Sequence, residues 1–241
     1  MERVKKKLES ITGLDQRYDS MKEWLEEQAK ELRKAVTLQI EGQQKTSHAD
    51  LVTVYDKAVE KALSEKIHEL FPADRIVGEE HMWGTLETQR AENEGCTWYI
   101  DPIDGTTNFV CLKRDFAVSV ACFWKGQCEF GLVADVMNHV LYEAKRGEGT
   151  RRNGEIIQAN TGREKLSENV FLTPMISDLF LNGNRQRQFA VLADKVCAVR
   201  SLGCISLEMC LVAEGKAGIF VTGRSCPWDH GAAALIVEEA G

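Results

Sequence analysis

The chain has 241 residues, 44% hydrophobic and 28% charged, a mixture that supports a folded core and excludes a disordered or collagen-like chain. Asp and Glu number 37 against 30 Lys and Arg, so the formal charge is −7, which speaks against a surface built to coat nucleic acid. No apolar run approaches the roughly 18 residues of a membrane span, and Met-Glu-Arg-Val-Lys-Lys-Lys-Leu-Glu at the start lacks the apolar run of a secretory signal, so a cytoplasmic protein without a membrane partner is expected.

The first 45 residues read as helix, with Tyr18, Met21, Trp24, Leu25, Leu32, Val36 and Ile40 at helical spacing. A second helix is expected over 54–70, with Ala58, Ala62, Leu63, Ile67 and Leu70 inward and Phe71-Pro72 as its stop. Val77-Gly78 looks like a strand end and leads into Glu79-Glu80-His81. The period then changes to that of strands. Thr97-Trp98-Tyr99-Ile100 ends at Asp101-Pro102, and 116–124 and 129–134 form a hairpin around Lys125-Gly126-Gln127-Cys128. A further strand covers 140–144, and Asn153-Gly154 marks a tight turn. After about residue 160, α and β patterns alternate: helix over 204–213, strand over 217–221, helix over 229–240 opened by Asp229. Two units are expected, a helix-plus-sheet part over 1–155 and a smaller α/β part over 156–241. The eight cysteines include no Cys-x-x-Cys and no Cys/His group with zinc-ligand spacing, so reduced, mostly buried thiols are expected.

The strongest chemical signal is Asp101-Pro102-Ile103-Asp104-Gly105-Thr106-Thr107-Asn108-Phe109, placed where a strand should end. Pro102 disfavours helix at Asp101 and stiffens the backbone between two acids. Carboxylates so close repel unless a cation neutralises them, and magnesium, a hard ion, suits an all-oxygen set. Gly105 permits close backbone approach, Thr106 and Thr107 supply hydroxyls, and free N–H groups there suit a phosphate. Glu79-Glu80, Asp50 to Asp56 opening the second helix, and Trp228-Asp229-His230 opening the last are further acidic spots, each weak alone. The five histidines are scattered, and no Ser-His or Cys-His pair suggests a nucleophile.

Together these segments resemble the inositol monophosphatase family of magnesium-dependent, lithium-sensitive sugar phosphatases, over about residues 17–241. Gly231 stands where that family usually has Ala, and the family pattern continues past Glu239-Ala240-Gly241, where this sequence stops. The resemblance implies a layered α-β-α-β-α sandwich with a smaller C-terminal α/β subdomain. It implies a phosphomonoesterase using two to three Mg2+ ions. Glu79, Asp101 and the Ile103 carbonyl would bind the first ion; Asp101, Asp104 and Asp229 the second; a third, weaker ion would lie near Glu79 and Glu80, with Glu80 among the catalytic residues. Thr106, paired with Asp56, would orient and deprotonate the attacking water, and the N–H groups of Gly105 and Thr106 would hold the phosphate. Lys45 matches a mobile-loop lysine. Substrate contacts would come from Asp104, Gly203, Ile205, Thr222 and Asp229. Inositol-specific members carry glutamate at the position of Thr222, so NADP, 3′-phosphoadenosine 5′-phosphate and fructose 1,6-bisphosphate stand as alternatives to inositol monophosphate. The resemblance also implies a homodimer and inhibition by Li+. A different class, a regulator bound to transcription or RNA-processing machinery, occurs among relatives; the complete acid set and the −7 charge weigh against it.

Overall fold

The computed structural model describes residues 2–38, 41–44, 51–80, 95–159, 162–174, 183–223 and 225–241. Helix α1 spans Glu2–Ala35, ten residues short of the expected 45. The β-branched pair Val36-Thr37 disfavours further helix, and the chain closes with Thr37 and Leu38 N–H groups on the Lys34 and Ala35 carbonyls. It then enters a small antiparallel pair, β1 (Gln43–Gln44) and β2 (Leu51–Val52). Ile40 lies outside the described residues; Met21, Trp24, Leu25 and Leu32 are buried as expected.

Helix α2 spans Val54–Leu70, as its pattern indicated. Leu63 and Ile67 are inside as expected, but the rest of its buried face differs from the expected one. Asp56, Val59, Glu60, Leu63, Ser64 and Ile67 are inside, whereas Ala58 and Leu70 are exposed. Alanine gives little burial energy and does not fix a face; the polar residues turn inward because Asp56 and Glu60 find partners there.

Seven strands follow in one mixed sheet: β3 (Arg75–Gly78), β4 (Thr97–Asp104), β5 (Ala117–Trp124), β6 (Gln127–Asp135), β7 (Val140–Lys145), β8 (Thr150–Arg152) and β9 (Glu155–Ile157), paired in that order. The β3–β4 pair is parallel and the rest antiparallel. The two-residue turns Lys125-Gly126 and Asn153-Gly154 have positive φ at both positions, the hairpin geometry that matches strand twist. One face of the sheet packs on α1 and α2 through Trp98, Ile100, Val118, Val120, Phe130 and Leu132. The other face, through Ala117, Ala121, Val133 and Tyr142, packs on two later helices, α4 (Ile205–Ala213) and α5 (Pro227–Ala240).

A second, parallel sheet orders β11 (Ala198–Arg200), β10 (Val170–Leu172) and β12 (Ile219–Phe220). Strand β12 contacts α4, and Phe171 of β10 stacks on Phe189 of α3 (Gly183–Lys195), with ring centroids 5.8 Å apart. This mixed sheet, helix-covered on both faces and followed by a small α/β sheet, is the layered α+β sandwich the resemblance implied. All eight cysteines are free thiols, five of them buried.

Candidate active site

Strand β4 runs past Pro102 to Asp104, further than the expected end at Asp101. Its pairing with β5 jumps from Asp101↔Ser119 to Asp104↔Ala117, a bulge at Pro102-Ile103. The bulge has a chemical consequence. Residues three apart on a regular strand face opposite ways. Here three steps on β4 match two on β5, so Asp101 and Asp104 share the face of Ser119 and Ala117, toward α4 and α5. Ile103, between them, turns to the α1/α2 core.

Each acid has distinct support. Asp104 is 7% exposed and lies at the start of α4, where its carboxylate accepts the Ile205 N–H (3.1 Å), the Ser206 N–H (2.6 Å) and the Ser206 hydroxyl (2.6 Å). Burial still raises its pKa against those bonds. Asp101, 3% exposed, accepts the Ile103 N–H at 3.1 Å. Burial, then the charges of Glu79, Asp104 and Asp229, push its pKa well above the carboxylate range. Glu79 follows β3 and its N–H donates to the Ile100 carbonyl, next to Asp101. Asp229 is the third residue of α5, which opens two residues earlier than expected with Cys226 as its cap; the Cys226 N–H donates to Asp229 Oδ2 at 2.6 Å. Burial, then Asp104 and Glu79, raise Asp229 to about 6.

Beside these acids stands a hydroxyl–carboxylate pair. Thr106 Oγ1 lies 3.1 Å from Asp56 Oδ1 and 3.0 Å from the Ile103 carbonyl oxygen, and its one proton serves one acceptor at a time. Asp56 Oδ2 accepts both the N–H (2.7 Å) and hydroxyl (2.6 Å) of Thr53. Burial raises Asp56 to about 6, with Glu80 and Glu79 adding to the shift. Gly105, at φ +87°, sits where a Cβ would lie 3.1 Å from the Gly203 carbonyl and 3.3 Å from Cys204 Cβ. That contact joins the β4 motif to the start of α4 and brings Gly203 and Ile205 beside Asp104 and Gly105.

The structure thus gathers Asp56, Glu79, Glu80, Asp101, Ile103, Asp104, Gly105, Thr106, Gly203, Ile205 and Asp229 around one end of β4. Thr222 lies half-buried just past β12. Lys45, His48, His81 and Arg224 lie outside the described residues. His230 faces Ser225, 3.0 Å from its hydroxyl, rather than the acids.

Among the described residues, no three His, Cys, Asp or Glu side chains converge closely enough to form a ready metal cage. The donor set nevertheless fits a hard cation. It is all oxygen, Asp101 and Asp104 are buried, and the neighbouring carboxylates add to the upward shifts of Asp101 and Asp229, as charges that favour a cation would. The Ser119 hydroxyl, across from Asp101 on the same face, is buried without a hydrogen-bond partner among the described residues.

A family model described as the inositol monophosphatase family matches residues 14–241. The chain belongs to the inositol monophosphatase family. It is 34% identical over 223 residues to "Inositol-1-monophosphatase" of Bacillus subtilis, covering 91% of this chain and 81% of the relative. It is also 34% identical over 195 residues to "Nus factor SuhB" of Pseudomonas aeruginosa, covering 80% and 70%. Two solved structures of SaIMPase-II, one bound to inositol monophosphate and one to 2′AMP, superpose with TM-score 0.78 at 27% identity. They cover 92% of this chain and 79% and 80% of theirs. The family's reaction class, phosphoric monoester hydrolysis, is that of this chain.

Sequence reasoning missed four polar residues that build the site. Ser206 holds Asp104. Asn108 donates its amide to the Asp115 (2.8 Å) and Leu202 (2.6 Å) carbonyls and ties the motif to the loop before α4. Glu208, 0% exposed, accepts the Leu202 (2.5 Å) and Gly203 (3.2 Å) N–H groups; burial raises it to about 6. Glu60, 1% exposed, accepts the Glu80 N–H at 2.7 Å.

Proposed function

We propose that this family member is a Mg2+-dependent phosphomonoesterase whose substrate is inositol monophosphate. The observation that carries the reading is that the charges of Glu79, Asp104 and Asp229 all act on buried Asp101, next to the Thr106–Asp56 pair. Glu79, Asp101, the Ile103 carbonyl, Asp104 and Asp229 would hold Mg2+, with Glu80 near a third ion. Bound there, two such ions supply charge stabilisation for the attacking and leaving oxygens of an in-line displacement.

The protein's own groups divide the remaining work. Asp56, pushed up to about 6, is matched to accept a proton through Thr106 Oγ1 near neutral pH. Its other oxygen is held by Thr53, which fixes the direction in which it accepts. Gly105 and Thr106 open the helical turn that follows β4; N–H groups of a first turn have no partner within the helix and suit phosphate oxygens. Gly203, Ile205 and Thr222, with Asp104 and Asp229, would border the substrate's hydroxyls, and Lys45 would approach from its loop. The resemblance further supports a cytoplasmic homodimer inhibited by Li+ at millimolar concentration.

A nucleotide monophosphate ester is the second reading. Thr222 in place of an acid removes a carboxylate that would repel further phosphates, and a 27%-identical structure holds 2′AMP. Phosphate release with Mg2+ from inositol 1-phosphate, NADP, 3′-phosphoadenosine 5′-phosphate and fructose 1,6-bisphosphate decides among them. The leading reading expects the highest kcat/KM on inositol 1-phosphate; a higher value on NADP transfers the assignment. Thr222→Glu is expected to move the inositol 1-phosphate/NADP ratio a few-fold toward inositol, as one added hydrogen bond of about 0.5–1.5 kcal/mol allows. An unmoved ratio places residue 222 away from substrate.

A further inference from the structure

We propose that Glu60 is a positioning residue that holds the Glu79–Glu80 segment in metal-binding register, through the length of its side chain rather than through its charge. The inference rests on the reading of Glu79 as a metal ligand. Glu60 lies one turn after Asp56 on α2, on the same buried face. Its Oε2 accepts the Glu80 N–H at 2.7 Å. Its carboxylate also covers the backbone of Gly78: a Cβ at Gly78 would fall 2.2 Å from Glu60 Cδ and 2.3 and 2.5 Å from its two oxygens.

The chain therefore wraps around the Glu60 carboxylate, touching it at Gly78 and again at Glu80. Glu79 is strung between those two contacts. A third tie, from the Glu79 N–H to the Ile100 carbonyl, sets the same residue beside Asp101. Without the Glu60 contact, the Glu80 N–H loses this acceptor. Gly78 is required here for space: any side chain would occupy the volume of the carboxylate. Because Asp56 and Glu60 share one helix, the same element orients Thr106 and aims Glu79.

Groups that orient metal ligands typically alter metal affinity by about 10–100-fold when lost. Two variants separate length from charge. Glu60→Gln keeps the length and a carbonyl acceptor for the Glu80 N–H but removes the charge. Glu60→Asp keeps the charge but is one methylene too short to reach. Calorimetric titration of Mg2+ alone into metal-free protein measures the effect without turnover, with melting temperature recorded for each protein. The expected result is Mg2+ affinity within about 3-fold of the parent for Glu60→Gln and a loss of about 10-fold or more for Glu60→Asp. Gly78→Ala, which displaces the carboxylate without altering it, is expected to reproduce the loss and decides the matter if Glu60→Asp does not fold. The inference is overturned if Glu60→Asp or Gly78→Ala lowers only the melting temperature and leaves Mg2+ affinity intact. It is equally overturned if Glu60→Gln loses as much affinity as Glu60→Asp, which would make the role electrostatic. Failure of the parent protein to bind Mg2+ would overturn the metal reading itself, and the inference with it.

Discussion

Two helices begin at the site with the same device and put it to different uses. In α2 and in α5 the third residue is an aspartate whose Oδ2 accepts the N–H of the cap residue. This reciprocal box satisfies a terminal amide and favours a negative charge at the positive end of the helix. At α2 the cap is Thr53, which gives its hydroxyl to Asp56 as well, and the remaining oxygen of Asp56 takes Thr106. Both oxygens are committed to the protein. At α5 the cap is Cys226, a weak hydrogen-bonding group. Asp229 Oδ1 has no hydrogen bond among the described residues, and the aspartate is only half-buried. Under the proposed function, one capping box would therefore direct a base, while the other would present an oxygen to a cation.

The largest expected effects come from removing charge on the cation side. Asp229→Asn and Asp101→Asn are expected to abolish phosphate release from inositol 1-phosphate and to weaken Mg2+ binding in calorimetric titration. Several kcal/mol of transition-state stabilisation are at stake, and each 1.36 kcal/mol is about tenfold in rate. Near-normal turnover of either variant at saturating Mg2+ would remove that residue from the metal set. On the other side of the comparison, Thr106→Ala is expected to lower kcat by about 10²–10⁴-fold, the range for a positioned general base. Its Mg2+ affinity stays within a few-fold of the parent. If Mg2+ affinity fell and kcat recovered fully at saturation, the two boxes would not differ in function.

A smaller effect follows from pH. Asp56 and Asp229 are both raised from 3.8 to about 6. The folded state thus holds these protons more tightly than the unfolded chain. The stability they contribute is fully present below about pH 4, declines as pH rises toward 6 and is absent above it. The melting temperature of metal-free protein is expected to drop from pH 5 to pH 7.5, and to drop less in Asp56→Asn. Scanning calorimetry at the two pH values measures it, and equal slopes would show that Asp56 is not protonated on folding in this range.

The two boxes also show what the sequence can reveal. Asp101 and Asp104 were legible because they lie in one short motif at a strand end, where local spacing carries the signal; Asp56 and Asp229, weak alone, were picked out only by the family resemblance. The four helices that pack on the sheet and most of its strands were legible from the period of their apolar residues. The bulge at Pro102-Ile103 was not, because it exists only in the pairing with β5. Ser206 and Asn108 were not, because their partners Asp104 and Leu202 are 102 and 94 residues away. Glu60 was not singled out, since Ala58, Ala62 and Leu70 extend an apolar stripe through Leu63 and Ile67 that burial uses only in part. The acids that position backbone are harder to read than the acids proposed to hold metal, because their meaning lies in a contact and not in a motif.

The smallest effect tests the weak cap directly. Cys226 has φ −92° and ψ 164°, the extended conformation of an N-cap, so a hydroxyl placed there needs no backbone change. The Thr53 hydroxyl, in the equivalent place, accepts the Tyr55 and Asp56 N–H groups at 3.0 and 3.4 Å. Cys226→Ser supplies the same acceptor to α5. A good cap is worth about 0.5–1 kcal/mol over a poor one, which for a chain of this size corresponds to a rise of about 1–4 °C in melting temperature. The substitution leaves Asp229 Oδ2 bonded to the same N–H, so kcat and Mg2+ affinity are expected to stay unchanged. An unaltered melting temperature would mean that the thiol already caps α5 as well as a hydroxyl does. A raised melting temperature with lowered kcat would instead show that the loose start of α5 serves the reaction, by letting Asp229 adjust toward its cation in a way that Asp56, held at both oxygens, does not.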